Sequence, residues 1–215
     1  MKNRYKKILL IAAALPAFAF AAGKPPVGSD ALAARAEKLF LDDVDPGQPK
    51  LHLERLQQDE VMRLCSQYRD NPPPKVRKRI EAVSRQAIRY PVEGRLMGDW
   101  KKGEALASSG RGGHVGRIQP DAPGLQRGGN CYACHQLAKK EVAYGTIGPS
   151  LQQFGKVRGY SEEMQRYAYE RIFNSQTFSA CTNMPRFGYH QWLSPEEITH
   201  IVAFLMDPES PVNQE

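Results

Sequence analysis

Cysteine is scarce in this chain: four among 215 residues, at positions 65, 131, 134 and 181. Only one C-x-x-C pair can be drawn from them, which argues against a four-thiolate zinc site. No segment past the N-terminus approaches the ~20 apolar residues that a membrane-spanning helix needs. Period-two alternation of apolar and polar residues is lacking, and so is any internal repeat. The predicted architecture is therefore all-α. A large excess of one charge is also missing. Lys and Arg number 30 against 23 Asp and Glu, a net +7. Four of the basic residues, Lys2, Arg4, Lys6 and Lys7, stand at the N-terminus; without them 26 remain against 23, about +3. So small an excess does not support a nucleic-acid partner.

The first 21 residues read as a secretory leader. The four basic residues form its positive end, residues 8–18 its apolar run, and Ala19-Phe20-Ala21 a small-x-small cleavage site. An uncleaved N-terminal anchor is the alternative. The expectation is export to a periplasm, with no membrane span in the mature chain.

Residues 22–90 read as a helical extension. Leu32, Ala36, Leu39 and Phe40 make one helical stripe. Leu53, Leu56, Val61, Leu64, Cys65 and Tyr68 make a second, ended by Asn71-Pro72-Pro73-Pro74. A third helix starts at the prolines, with Val76, Ile80, Val83 and Ala87 on its apolar stripe. Lys75, Arg77, Lys78, Arg79, Arg85 and Arg89 occupy its other faces, as a solvated surface or a docking face for an acidic partner. Residues 91–215 form a second domain. Asp99 caps a helix from Trp100 to about Ser108, and Gly103 inside it implies close approach of another helix. Residues 110–130 are a long Gly- and Pro-rich loop containing His114. Ser161 starts one later helix, bearing Met164, Tyr167, Ala168 and Ile172. Ser194-Pro195-Glu196-Glu197 starts the last, with Ile198, Ile201, Val202 and Leu205 buried.

The long loop leads into Cys131-Tyr132-Ala133-Cys134-His135. C-x-x-C-H is the attachment signature of a covalent c-type haem. Two thiols at this spacing each add to one porphyrin vinyl group, and the adjoining histidine reaches the iron as the proximal ligand. One such motif implies one haem c, held by Cys131 and Cys134 and ligated by His135. Met184, in Met184-Pro185-Arg186-Phe187-Gly188, is the leading candidate for the other axial position. Its neutral thioether stabilises reduced iron and suits electron transfer. His190 and His114 are rivals that would give a bis-histidine site. His52 and His200 read as surface residues, and Met164 and Met206, on helices, as core fillers.

Cys65 and Cys181 remain. Two unpaired thiols are unusual in an oxidising compartment, so a disulfide between them is the plain expectation. A reactive or iron-binding Cys181, three residues before Met184, is the sharper alternative.

These motifs resemble the class I cytochromes c. The resemblance implies that the carbonyl of Pro149, in Gly148-Pro149-Ser150-Leu151, accepts a hydrogen bond from His135, and that Met184 is the distal ligand. It implies a class I cytochrome c fold, here with an N-terminal helical extension. Gly98-Asp99-Trp100-Lys101-Lys102-Gly103-Glu104, Gly128-Gly129-Asn130 before the haem motif, Thr146-Ile147-Gly148-Pro149 and the tail Asp207-Pro208-Glu209-Ser210-Pro211-Val212-Asn213 are similar to the SoxX family. SoxX proteins are the monohaem subunits of SoxAX in bacterial thiosulfate oxidation. The implied partners are the SoxA haem subunit (with or without a further small subunit), the SoxYZ carrier protein and a soluble cytochrome c acceptor. The complex as a whole would act as an L-cysteine S-thiosulfotransferase, with the catalytic haem on SoxA and no catalytic residue in this chain. Two other readings stay open: a stand-alone periplasmic electron carrier, and a haem enzyme with an exchangeable iron position.

Overall fold

A computed structural model describes residues 34–35, 58–112 and 121–214. Residues 1–48 and 49–215 are two separate units. In the first, only Ala34 and Arg35 are described, both helical. The leader, the stripe from Leu32 to Phe40, Leu53, Leu56, His52 and His114 lie outside the described residues.

The described part of residues 49–215 contains six α-helices and no strand. They are α1 Glu60–Gln67, α2 Pro74–Gln86, α3 Trp100–Ser108, α4 Phe154–Arg158, α5 Glu162–Phe173 and α6 Pro195–Met206. Two 3-10 turns, Cys131–Ala133 and Ser175–Thr177, complete the set. No helix among the described residues is long and apolar enough to cross a membrane.

Local chemistry sets most helix starts. Asp59, Asp99, Ser161 and Ser194 each accept a backbone N–H of the first turn. At α6 the bonds are reciprocal: Ser194 Oγ accepts from Glu197 N, and Glu197 Oε2 accepts from Ser194 N, with Pro195 at the first position. Helix α1 therefore begins at Glu60, and Gln58 and Asp59 before it are not helical.

Helix α6 is the centre of the main core. Ile198, Ile201, Val202, Leu205 and Met206 on it are buried, together with Leu106 of α3 and Tyr169, Ile172 and Phe173 of α5. Each such aliphatic side chain contributes ~1.5–3 kcal/mol through removal from water. Helices α3 and α6 cross at Gly103. A Cβ built there would lie 1.9 Å from the carbonyl oxygen of His200 and 2.8 Å from Cβ of Phe204. His200 is half-buried at this crossing, and its Nδ1 accepts the Asp99 N–H at 2.8 Å, so it is a structural rather than a surface residue. The tail after α6 folds back on the core. Asn213 Oδ1 accepts from Gly155 N at 2.9 Å, its Nδ2 donates to the carbonyls of Leu205 and Asp207, and Val212 is fully buried.

Helices α1 and α2 pack on this body through their own small core of Val61, Cys65 and Ile80. The buried stripe of α2 differs from the sequence expectation. Val83 is 36% exposed, whereas Ser84 is 1% exposed. A small residue lets α2 lie close to the turn Ser175–Thr177, and Asn174 Nδ2 donates to the Ser84 carbonyl. Arg85 Nη2 donates to the Thr177 carbonyl at 3.1 Å, while Lys75, Arg77 and Lys78 are exposed.

Alanine is the better helix former, by ~1 kcal/mol over glycine. At position 103 its methyl would meet backbone. Gly103→Ala is expected to destabilise the protein by ~2–3 kcal/mol, read as a lowered midpoint in thermal or urea unfolding.

Candidate metal centre

Glycines bring the attachment motif against the end of α3. Gly129 N donates to the Leu106 carbonyl at 2.8 Å and Asn130 N to the Ser109 carbonyl at 3.0 Å. A Cβ on Gly128 would lie 1.9 Å from Ser109 O, so only glycine permits this approach. Asn130, at φ 47°, then turns the chain into the 3-10 turn Cys131–Ala133. The carbonyl of Cys131 accepts both Cys134 N and His135 N, which places the two thiols and the imidazole within one tight turn.

A second segment runs beside the motif. Gly145 N donates to Tyr132 O at 2.9 Å, Gly148 N to Cys134 O at 2.8 Å and Leu151 N to Gln136 O at 2.8 Å. These rungs bring the carbonyl of Pro149 to 2.6 Å from His135 Nδ1. A carbonyl oxygen can only accept, so Nδ1 is the donor and Nε2 is the nitrogen left to face a metal. Gly148 lies flat against the imidazole: a Cβ there would be 2.2 Å from Cε1 and 2.5 Å from Nδ1. Burial, with the neighbouring Cys134 adding to it, pushes the Cys131 thiol up to about 12.

The chain around Met184 is held from the turn Ser175–Thr177. Ser175 Oγ donates to the Met184 carbonyl at 2.5 Å, and Gln176 Nε2 donates to the Thr182 carbonyl at 3.0 Å. Gln176 Oε1 accepts Cys181 N. Beyond Met184, Gly188 N and Tyr189 N both donate to Phe173 O. Met184 is half-buried at the margin of the main core, as are Cys131, Leu151, Met164 and Tyr167. A c-type haem fits this donor set: paired thiols, an imidazole with Nε2 free, and apolar side chains at the edge of a common core.

The other candidates stand in different surroundings. His190 lies edge-on to Tyr189, and lost hydration and the Arg186 guanidinium lower its pKa against an opposing pull from Asp59. Met206 is fully buried in the core. Cys65 and Cys181 are joined in a disulfide, with Cα atoms 5.4 Å apart. Among the described residues, one group of three metal-ligating side chains lies within mutual reach, Cys65, Asp70 and Cys181, and the disulfide occupies both of its sulfurs.

Sequence reasoning passed over three features of this site. Gly148 was visible only as a turn residue, because its contact with His135 is non-local. Arg186, between Pro185 and Phe187, carries no local signal of burial yet is 7% exposed and pairs with Asp59 at 2.7 Å. The cap of α1 is the residue that meets it, and burial, which would raise the Asp59 carboxyl, is outweighed by the Met62 N–H and by Arg186, so its pKa is lowered.

Gly148→Ala would drive a methyl into the His135 ring. The expected result is a ~10-fold or larger weakening of the histidine–iron bond, the range seen when a metal ligand loses its outer support. Spectrophotometric titration with an external ligand that displaces His135 would measure it.

Two comparisons with known proteins bear on this site. The cytochrome c family model matches residues 125–207, which include Cys131, Cys134, His135, Pro149 and Met184. An uncharacterized lipoprotein of Aquifex aeolicus (strain VF5) is 45% identical over 127 residues, covering 59% of this chain. The matched stretch spans 58% of that relative's length. The helical fold with its helical extension is that of a cytochrome c. Residues 125–207 thus match a cytochrome c domain, and such a domain implies a covalently bound haem c and electron transfer.

Proposed function

We propose that this chain is the monohaem, electron-accepting subunit of a SoxAX complex, with His135 and Met184 as axial iron ligands. Coupling thiosulfate to a carrier-protein cysteine forms a sulfur–sulfur bond and releases one proton and two electrons. The catalytic haem on SoxA and the haem of this chain would take them one at a time, and a soluble cytochrome c would remove them. When bound, the haem supplies the one-electron redox step. The chain's own residues would fix the His135 ring through the Nδ1 bond to Pro149, leaving Nε2 as the ligating nitrogen, and would offer a neutral sulfur, Met184, on the other side.

The observation that carries this reading is the tail. Its residues, similar to SoxX, are buried and bonded here: Ser210, Val212 and Asn213 are fully buried, and Asn213 ties α4 to the end of α6. An obligate partner also leaves apolar surface near the haem. Tyr132 at 39%, Tyr144 at 41% and Ile147 at 77% exposure flank the attachment turn. Trp192, by contrast, is half-buried and donates Nε1–H to the Gly128 carbonyl. The Aquifex relative is named a lipoprotein, which is an exported class; for this chain the proposal is export to a periplasm.

The second reading, a stand-alone periplasmic carrier, differs in its partner. Purification from the native source under non-denaturing conditions is expected to bring down a second haem protein in constant ratio. A monomeric protein that comes alone would favour the free carrier. Met184→Ala is expected to open the iron to cyanide or imidazole and to lower the reduction potential, seen by absorption titration and voltammetry. An unchanged potential and unchanged ligand uptake would remove Met184 from the site.

A further inference from the structure

Residues 181–186 form the short stretch that carries Met184, and the helical extension grips it on both sides. Three residues before Met184, Cys181 is bonded to Cys65 of α1. Two residues after it, the buried guanidinium of Arg186 meets the Asp59 carboxylate at 2.7 Å. Both anchors come from one short element, since Asp59 caps α1 and Cys65 lies within it. That element does not hang free. Glu60 pairs with Arg79 of α2, Tyr169 of α5 donates its hydroxyl to the Arg89 carbonyl at 2.6 Å, and Tyr90 donates its own to Glu170 at 2.5 Å.

We infer that the extension is a clamp that holds the Met184 loop in ligating position, with Asp59 and Cys65 as positioning residues for the iron. The inference rests on the Met184 reading above. Its physical basis is local opening. Residues 178–188 lie outside regular secondary structure, and Cys181 sits at φ 60°, a left-handed conformation that non-glycine residues hold only under restraint. Such a segment opens more readily than a helix. A covalent link on one side and a buried ion pair on the other oppose that opening. Arg186 Nη1 has no hydrogen-bond partner, so without the Asp59 charge the buried cation keeps only the Tyr189 ring, 4.5 Å from its guanidinium carbon, for compensation.

The test uses haem-loaded, full-length protein carrying Asp59→Asn, the pair Cys65→Ser and Cys181→Ser, or all three. Asparagine caps a helix as well as aspartate, so Asp59→Asn removes the charge and leaves the start of α1 intact. Two properties are read: the sulfur-to-iron charge-transfer band of the ferric haem, and the rate at which imidazole displaces the axial ligand. Each change is expected to raise that rate ~10-fold and the combination ~100-fold, with the band weakened in step. Ser161→Ala uncaps α5 away from the clamp; it is expected to lower the melting temperature and leave the rate within ~2-fold. An unchanged rate and band in the triple variant, or an equal effect from Ser161→Ala, overturns the clamp. Should the triple variant fail to take up haem, Asp59→Asn alone decides by the same criteria. Met184→Ala separates the two readings. A band lost there but intact in the clamp variants leaves Met184 as ligand and removes the clamp, whereas a band absent from the unmodified protein removes both.

Discussion

The carbonyl of His200 lies where a side chain at position 103 would stand. Because residue 103 is glycine, α3 and α6 meet backbone to backbone, and the rest of the site is built outward from that contact. The C-terminal end of α3 offers the carbonyls of Leu106 and Ser109 to the approach strip at Gly129 and Asn130, which sets where Cys131 begins. The C-terminal end of α6 runs into the tail. Asn213 holds the start of α4, and Val212 O accepts Gln153 N, two residues past the Leu151 rung on Gln136. The segment that supports His135 from behind is thus suspended from α6, and the turn bearing His135 from α3. A shift at the crossing would move the two against each other.

The proximal and distal sides are built differently. Behind His135, backbone rungs at residues 145, 148 and 151 hold the chain, and a glycine leaves no slack against the ring. On the Met184 side the chain is irregular, and side chains restrain it: Ser175, Gln176, the disulfide at Cys181 and the ion pair at Arg186. Electrostatics run the same way throughout. An imidazole bonded at Nδ1 to the Pro149 carbonyl and, in the proposed ligation, the Met184 thioether are both uncharged ligand types. Neutral donors leave the reduced iron less destabilised than thiolate would, which suits a one-electron relay.

What was legible from the sequence was local. Caps at Asp99, Ser161 and Ser194 depend on chemistry three residues apart, so reading them needs no knowledge of the fold. The haem motif is likewise a five-residue unit whose spacing is dictated by the porphyrin. Gly103 sits between the two kinds of information: its cost within a helix signals a close neighbour without naming it.

Tertiary structure decided the rest, because it depends on which distant groups meet. Ser84 rather than Val83 faces inward, since α2 lies close against a polar turn about 90 residues away, where Asn174 reaches the Ser84 carbonyl. His200 is a helix-crossing residue because Asp99 supplies a backbone N–H from 101 positions earlier. Arg186 is buried because the cap of α1 carries a second carboxylate oxygen to meet it. Spacing along the chain pointed to Cys131, Cys134 and His135 as the residues that would hold a haem. Only long-range closure, with its non-local hydrogen bonds and one disulfide, decided how firmly each side of that site is held.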